Sequence, residues 1–345
     1  MAPYPGGDDS RYQRQVRLPQ IGRAGQERLA KARVAVVGLG ALGCVVSDYL
    51  ARAGVGHLTL VDRDLVEEGN LQRQLLFDEE DAREGIPKAE AARCRLQRAN
   101  RRVRIEAASR HLDSGNAGEL LDSSQLILDG TDNFETRFLL NDCSLEWGVP
   151  WIYGACIGSL GVVTPFVPRS TACLRCLVDP DDPAPEPSCE TAGILGPAAG
   201  IVGSLQAAIA LRLIVEGSTG GWGPMQVDVW SGRMISLAPP SAEPGCPACC
   251  EGKLEFLQGG RGSSSEVLCG REAVQILPKG GVPRDLEAAA RTLADLGEVR
   301  RTPALVRAVV FGHTLSLFPD GRAIVFGTAD PARARALLDR CLGGN

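Results

Sequence analysis

The sequence predicts an α/β fold: a Rossmann-like, doubly wound, mostly parallel sheet with an antiparallel C-terminal extension, followed by a small α/β domain. Three observations carry this. Arg33 to Val37 (RVAVV) is an apolar run of strand length, followed directly by Gly38-Leu-Gly-Ala-Leu-Gly43 and a helical run that stops near Gly54. His57 to Val61 (HLTLV) is a second such run ending at Asp62, so strand, Gly-rich turn, helix and strand make one βαβ unit. Strand and helix then alternate, with strands at Val103 to Ala107, Leu126 to Asp129 and Trp151 to Cys156. Pro87 suits the first position of a helix, with Lys88 beside it.

Beyond Pro165 the alternation stops. Asp179 to Pro187 (DPDDPAPEP) reads as an exposed loop. The uncharged run Thr191 to Leu211 is long enough to raise the question of a membrane span. Pro197, Gln206 and several glycines make a buried helix, reaching Glu216, the better reading. Met225 to Ala238 reads as a hairpin turning at Ser231-Gly232. Residues 258–265 (QGGRGSSS) read as a linker between a domain over 1–257 and an accessory domain over 266–345. In the latter we expect a strand at Ala273 to Leu277 and a helix from Leu286 to Leu296 stopped by Gly297. Two strands should flank the turn Phe318-Pro-Asp-Gly-Arg322, and Asp330-Pro331 should cap a last helix ending at Gly343. This segment holds no C-x-x-C and no cysteine loop, so it does not read as a sulfurtransferase domain.

Composition narrows the function. Net charge is −5 over 345 residues, with no basic block, which argues against nucleic acid as a partner. Met1 to Ser10 has neither a basic start nor an apolar stretch, so no signal peptide is expected and the cytoplasm is the default compartment. The twelve cysteines are therefore expected as thiols or metal ligands.

A G-x-G-x-x-G turn alone says only that backbone approaches a phosphate at a helix N-terminus. Asp62, 19 residues after Gly43, suits a ribose hydroxyl, and a nicotinamide dehydrogenase fits that much. The neighbouring residues point elsewhere. Asn70-Leu-Gln-Arg-Gln74 follows the Asp62 strand, Lys88 starts a helix, and Asp132 in Gly130-Thr-Asp-Asn133 follows the strand ending at Asp129. Loops after parallel strands gather at one edge of the sheet, so Arg73, Lys88 and Asp132 converge on the ligand. Two cations and a carboxylate suit a triphosphate with Mg²⁺ rather than a dinucleotide. Each residue also has a plain reading: Lys88 and Arg73 as surface charges, Asp132 as an N-cap.

Cys173-Leu-Arg-Cys176 and Cys246-Pro-Ala-Cys249 are two C-x-x-C pairs. Four thiolates make a closed tetrahedral site for structural Zn²⁺; the alternatives are two unrelated pairs or a redox pair. Cys250 adjoins the second pair as a bystander, and Cys189 follows the Pro/Asp loop. A thiol exposed beside the site suits nucleophilic chemistry, with an inert thiol as the alternative. His57, His111 and His313 fall in no recognisable catalytic setting.

In order, Arg11-Tyr-Gln-Arg-Gln15, GLGALG, Leu60-Val-Asp-Arg-Asp64, NLQRQ, Pro87-Lys88, GTDN and Gly203-Ser-Leu-Gln206 resemble the ThiF/MoeB family over roughly residues 10 to 252. These are ATP-dependent adenylyltransferases for ubiquitin-like sulfur carriers, related to ubiquitin-activating enzymes. The resemblance implies adenylation of a carrier's C-terminal Gly-Gly carboxylate in a thiazole, molybdopterin or tRNA-thiolation pathway. It also implies a homodimer and a sulfurtransferase donor as a further partner. Gly38, Gly40, Ala41, Gly43, Asp62, Asp64, Asn70, Arg73, Gln74, Lys88, Asp132 and Asn133 then form the nucleotide site. By the same resemblance Arg14 reaches the partner subunit's phosphates, Asp62 holds the ribose, Asn70 and Arg73 serve the phosphate and metal region, Lys88 binds phosphates, and Asp132 holds Mg²⁺. The catalytic set is Arg14, Arg73, Lys88 and Asp132, with Cys189 as a residue that, in the thiazole branch, can link covalently to the carrier. The family has its metal site where both cysteine pairs stand. It often has a glycine where this chain has Ala41; one methyl leaves the backbone amide in place, so Ala41 should be tolerated. The remaining alternatives are activation of a small-molecule or tRNA carboxylate and a non-catalytic ATP-binding scaffold.

Overall fold

Side chains of β1 (Arg33–Val37) alternate between two cores: Val34 and Val36 pack on one, Ala35 and Val37 on the other. A strand buried on both faces belongs in the middle of a parallel sheet. Its neighbours are β2 (His57–Val61) and β4 (Leu126–Asp129), both parallel to it. The computed structural model describes residues 11–181, 192–260, 265–268, 272–276, 284–302 and 305–343. Its contacts divide the chain into two compact units, Met1–Gly260 and Arg261–Asn345.

In the first unit, α1 (Gln13–Val16) and α2 (Gly22–Lys31) precede β1. Then come α3 (Ala41–Ala53), β2, α4 (Glu79–Glu84), α5 (Lys88–Ala99), β3 (Arg104–Ala108) and α6 (Ala117–Leu121). After β4 follow α7 (Phe134–Trp147), β5 (Trp151–Ile157), β6 (Leu160–Phe166), α8 (Gly196–Glu216), β7 (Met225–Asp228) and β8 (Arg233–Ser236). The eight strands lie in the order β3-β2-β1-β4-β5-β6-β7-β8. The first five are parallel and the last three antiparallel, as predicted. Helices cover both faces: α3, α5 and α8 close one core and α6 and α7 the other.

Helix boundaries follow local chemistry. Gly54 ends α3 in the left-handed conformation at φ 84°, which spares a side chain its clash there. Pro87 is the N-cap of α5, one place earlier than the sequence suggests, and Lys88 is the first helical residue. Among the described helices α8 alone has the length and hydropathy of a membrane span. It packs on α3, β5 and β6, and Gln206 in its middle is fully buried. The Gln206 amide donates to the carbonyls of Asp129 (2.7 Å) and Ile152 (3.1 Å), a polar anchor suited to a core helix.

The second unit carries more strands than the sequence suggests. β9 (Ser265–Leu268), β10 (Ala273–Ile276), α9 (Leu286–Ala294), β11 (Glu298–Arg301), β12 (Val306–Val310), β13 (His313–Leu317), β14 (Ala323–Phe326) and α10 (Pro331–Leu342) follow one another. The six strands form one antiparallel sheet, ordered β11-β12-β13-β14-β10-β9. β11 escaped the sequence reading because Glu-Val-Arg-Arg is a largely exposed edge strand with no apolar alternation. Asp285 and Asp330 cap the two helices, and Leu293, Ala334 and Leu338 bury against Val274, Val306, Leu315 and Val325.

Candidate functional site

The carboxyl ends of β1, β2 and β4 share one rim. The Gly38 N–H donates to the Val61 carbonyl (2.8 Å), and the Gly130 N–H to the Val37 carbonyl (2.7 Å). Gly38 sits at φ 84°, and a Cβ there would lie 2.6 Å from the Gly130 carbonyl carbon. Glycine is therefore required by backbone conformation and by the close approach of the two loops. Gly40 is the N-cap of α3 with no side-chain cap, so the first helical N–H groups face the rim, and Gly43 packs on the Gly38 backbone. Ala41 has no left-handed strain, so its methyl is accommodated.

The Asp62 carboxylate is buried and accepts from the Leu39 N–H (2.6 Å) and the Asp64 N–H (2.7 Å). Burial raises its pKa, and the Lys88 ammonium opposes that rise. Lys88 is itself buried, and its ammonium lies 3.0 Å from Asp64. Arg73 donates to the Gly69 carbonyl (3.1 Å) and to Asn70 Oδ1 (2.8 Å), which fixes its guanidinium at the rim. Asn70 Nδ2 and Gln74 Oε1 are buried without a hydrogen-bond partner among the described residues. Orphaned buried polar atoms are costly, and a bound polar ligand would satisfy them.

Asp132 is exposed on the loop after β4. The N-cap role weighed for it belongs to Asn133, whose Oδ1 accepts from the Thr136 N–H (2.9 Å). That leaves the Asp132 carboxylate outside the helix cap. Beneath the loop lies an ion pair the sequence reading missed. Asp129 and Arg137 are buried 3.1 Å apart, and Arg137 also donates to the carbonyls of Thr131 (2.9 Å) and Gly154 (3.2 Å). Burial, the largest single effect, disfavours the Arg137 charge, but Asp129, Tyr153 and Asp132 together offset it and hold its pKa above the ordinary value. The pair, together with Gln206, fixes the backbone that carries Asp132. Only the strand-end position of Asp129 hinted at it; Arg137 gave no signal of its own.

The structure does not bring Arg14 to this rim. Its helix is tied to the opposite end of α3: Asn100 Nδ2 donates to the Tyr12 hydroxyl (2.7 Å), and Gln15 donates to the Ala53 carbonyl (3.0 Å). Thirteen residues of α3 rise about 20 Å, so Arg14, which is exposed, stands far from its own Gly-rich turn. Cys189 lies outside the described residues. The histidines are all paired: His57 with Glu106 (3.2 Å), His111 Nδ1 with Arg63 (3.0 Å), and His313 with the Phe311 carbonyl (3.0 Å).

The four cysteines converge. The Sγ atoms of Cys173, Cys176, Cys246 and Cys249 all lie within 4.8 Å of one another. Individual separations are 3.8 Å (173–176), 3.7 Å (173–246) and 3.5 Å (176–249). A tetrahedron of sulfurs about 2.3 Å from a zinc ion has edges of about 3.8 Å, so the cluster is compatible with Zn²⁺. Burial pushes the Cys173 thiol up to about 12, with the neighbouring thiols adding, so holding four thiolates calls for a cation. The Cys250 thiol donates to the Glu243 carbonyl (3.4 Å), beside the four rather than among them.

Two adjacent residues of α7 fasten this lobe to the core. Asn141 Oδ1 accepts from the Leu174 N–H (2.8 Å), and Asp142 Oδ2 accepts from the N–H groups of Phe256 (2.9 Å) and Leu257 (3.3 Å). Burial nevertheless pushes the Asp142 carboxyl up to about 6. The folded state binds this proton more tightly than the unfolded chain. The contribution of Asp142 to stability is therefore fully present below about pH 4 and is lost, by up to about 3 kcal/mol, as pH rises through about 6. Asp142→Asn keeps an acceptor without the buried charge. Its urea midpoint should rise above that of the parent at pH 7–8 and match it near pH 4; a midpoint lowered equally at every pH would contradict this.

The model of the ThiF family matches residues 12–248. The chain belongs to the ThiF family. A relative from Bacillus subtilis, the sulfur carrier protein ThiS adenylyltransferase, is 38% identical over 335 residues, covering 96% of this chain and 99% of that protein. The sulfur carrier protein adenylyltransferase of Thermus thermophilus is 45% identical over 211 residues, covering 59% and 77%. Among solved structures, Escherichia coli MccB with ATP matches at TM-score 0.62 and 21% identity, over 71% of this chain and 75% of that one, which shows the shared fold. The second unit lies beyond the ThiF family match, yet the Bacillus relative spans nearly the whole chain.

Proposed function

We propose that this ThiF-family chain uses ATP and Mg²⁺ to adenylate the C-terminal carboxylate of a ubiquitin-like sulfur-carrier protein ending in Gly-Gly. The observation that carries the reading is one rim holding the Gly-rich turn, Asp62, Arg73, Lys88 and Asp132 above the orphaned amides of Asn70 and Gln74. Relatives bearing the carrier adenylyltransferase name supply the acyl substrate.

In the reaction an oxygen of the carrier carboxylate forms a bond to the α-phosphorus of ATP. The bond from that phosphorus to the bridging oxygen breaks, and pyrophosphate leaves with its electron pair. A C-terminal carboxyl, with pKa about 3.5, is ionised at neutral pH, so no general base is needed. Catalysis is positioning and charge neutralisation. Backbone N–H groups of the Gly-rich turn hold phosphate oxygens, and Asp62 holds the ribose. Lys88, kept desolvated and oriented by Asp64, and Arg73, braced by Asn70, supply positive charge. Asp132 would hold Mg²⁺, which would supply further charge neutralisation at the phosphates.

Arg14 acts across a homodimer; its distance from its own rim supports a role at the partner's phosphates. The β7–β8 hairpin exposes Trp230 (83%), Met234 (55%) and Leu237 (59%), which suits docking of a protein substrate. The cysteine cluster holds structural Zn²⁺, consistent with a reducing, cytoplasmic setting. A purified Gly-Gly-ended carrier should stimulate ATP–pyrophosphate exchange under Mg²⁺; a carrier lacking its terminal glycine should not.

A further inference from the structure

Arg63 lies between the two aspartates at the end of β2, and its side chain reaches across to the loop after β3. Its Nη1 is 3.0 Å from His111 Nδ1, 48 residues away, and its Nε is 4.0 Å from Asp64 Oδ1. A guanidinium only donates, so Nδ1 of the imidazole accepts and the ring is neutral, with its proton on Nε2. The Asn116 side chain donates to the His111 carbonyl (2.8 Å), which holds this loop in turn. Arg63 is thus a planar cation fixed from two sides. The Arg63 side chain is 17% exposed.

The position of the pair gives it a direction. Strand order runs β3-β2-β1, so the Gly-rich turn after β1 lies on one side of Asp62 and His111 after β3 on the other. A nucleotide with its phosphates at the Gly-rich turn and its ribose at Asp62 extends its base toward the β3 side, beyond the ribose. An arginine beside a ribose acceptor can also serve a 2′-phosphate, but the Asp62 carboxylate repels one. A planar, weakly hydrated guanidinium is suited to stack on an aromatic base.

We propose that the Arg63–His111 pair is the base-side wall of the nucleotide site and sets a preference for a purine base, Arg63 by stacking and His111 by positioning Arg63. This rests on the nucleotide reading of the rim given above. A purine offers a larger face than a pyrimidine, so the pair contributes more to ATP than to CTP.

The test is steady-state pyrophosphate exchange and equilibrium nucleotide binding on the full chain, with ATP and CTP as probes. Arg63→Ala should raise the KM and Kd for ATP about tenfold with kcat within about twofold, and should weaken CTP less, so that the ATP-over-CTP preference falls by a smaller factor. His111→Leu should move both in the same direction, and His111→Asn, which keeps an acceptor near Nδ1, should restore most of the loss. The proposal is overturned if Arg63→Ala leaves ATP affinity unchanged, if ATP and CTP weaken in parallel, or if kcat falls while KM holds. A parent protein that binds no ATP would remove the nucleotide reading itself. A parent that binds ATP beside an Arg63→Ala variant of unchanged preference removes only the wall.

Discussion

Asp132→Ala is expected to lower the kcat of carrier-dependent pyrophosphate exchange by about 10²–10³-fold, a barrier increase of about 2.7–4 kcal/mol. The size follows from the role proposed for the residue. The Asp132 carboxylate is exposed at the rim, outside the α7 cap provided by Asn133, so it is available to a cation. Its loop is held from below by Arg137 and Asp129 and sideways by the Gly38–Gly130 contact, so the carboxylate is presented on a rigid support. Removing it deletes the carboxylate that would hold Mg²⁺ beside the leaving pyrophosphate while leaving the fold intact. Unfolding by urea should therefore be unchanged, and raised Mg²⁺ should recover part of the loss. An equal loss of stability and activity would assign Asp132 a structural role instead.

The second large effect is on stability. Cys249→Ser should abolish stoichiometric zinc binding and lower the thermal midpoint by well over the few degrees typical of a surface change. Structural zinc in small peptides is worth about 10–16 kcal/mol of apparent binding free energy, and here it would join two segments far apart in sequence. The first cysteine pair and the segment just after the second are anchored to neighbouring residues of one helix, Asn141 and Asp142, so loosening the lobe withdraws support from α7. Metal analysis together with calorimetry checks this. A protein that lacks zinc and unfolds at the parent temperature would show the cluster to be dispensable.

Much of the fold was legible because β1 and β2 are strands buried on both faces, whose continuous apolar runs bound the Gly-rich turn. The expectation that Arg73, Lys88 and Asp132 share one edge came from the rule that loops after parallel strands gather there. Other features left no local signal. Arg137 reads as one more charge on a helix, and only the fold reveals that Asp129 meets it in a dry interior. Arg63 and His111 are separated by 48 residues and share no pattern, so their contact depends on β2 and β3 being neighbours. The position of Arg14 at the far end of α3 is likewise a tertiary fact. β11 went unseen because an exposed edge strand has no apolar face to betray it.

The central claim is that the acyl substrate is a carrier's terminal carboxylate. Pyrophosphate exchange under Mg²⁺, with a Gly-Gly carrier compared with the same carrier amidated at its C-terminus, tests it most directly. Exchange is expected with the free carboxylate and none with the amide, because the amide lacks the anionic oxygen that attacks the α-phosphorus. Equal exchange with both forms, or none with any Gly-Gly carrier by a protein that binds ATP, would contradict it.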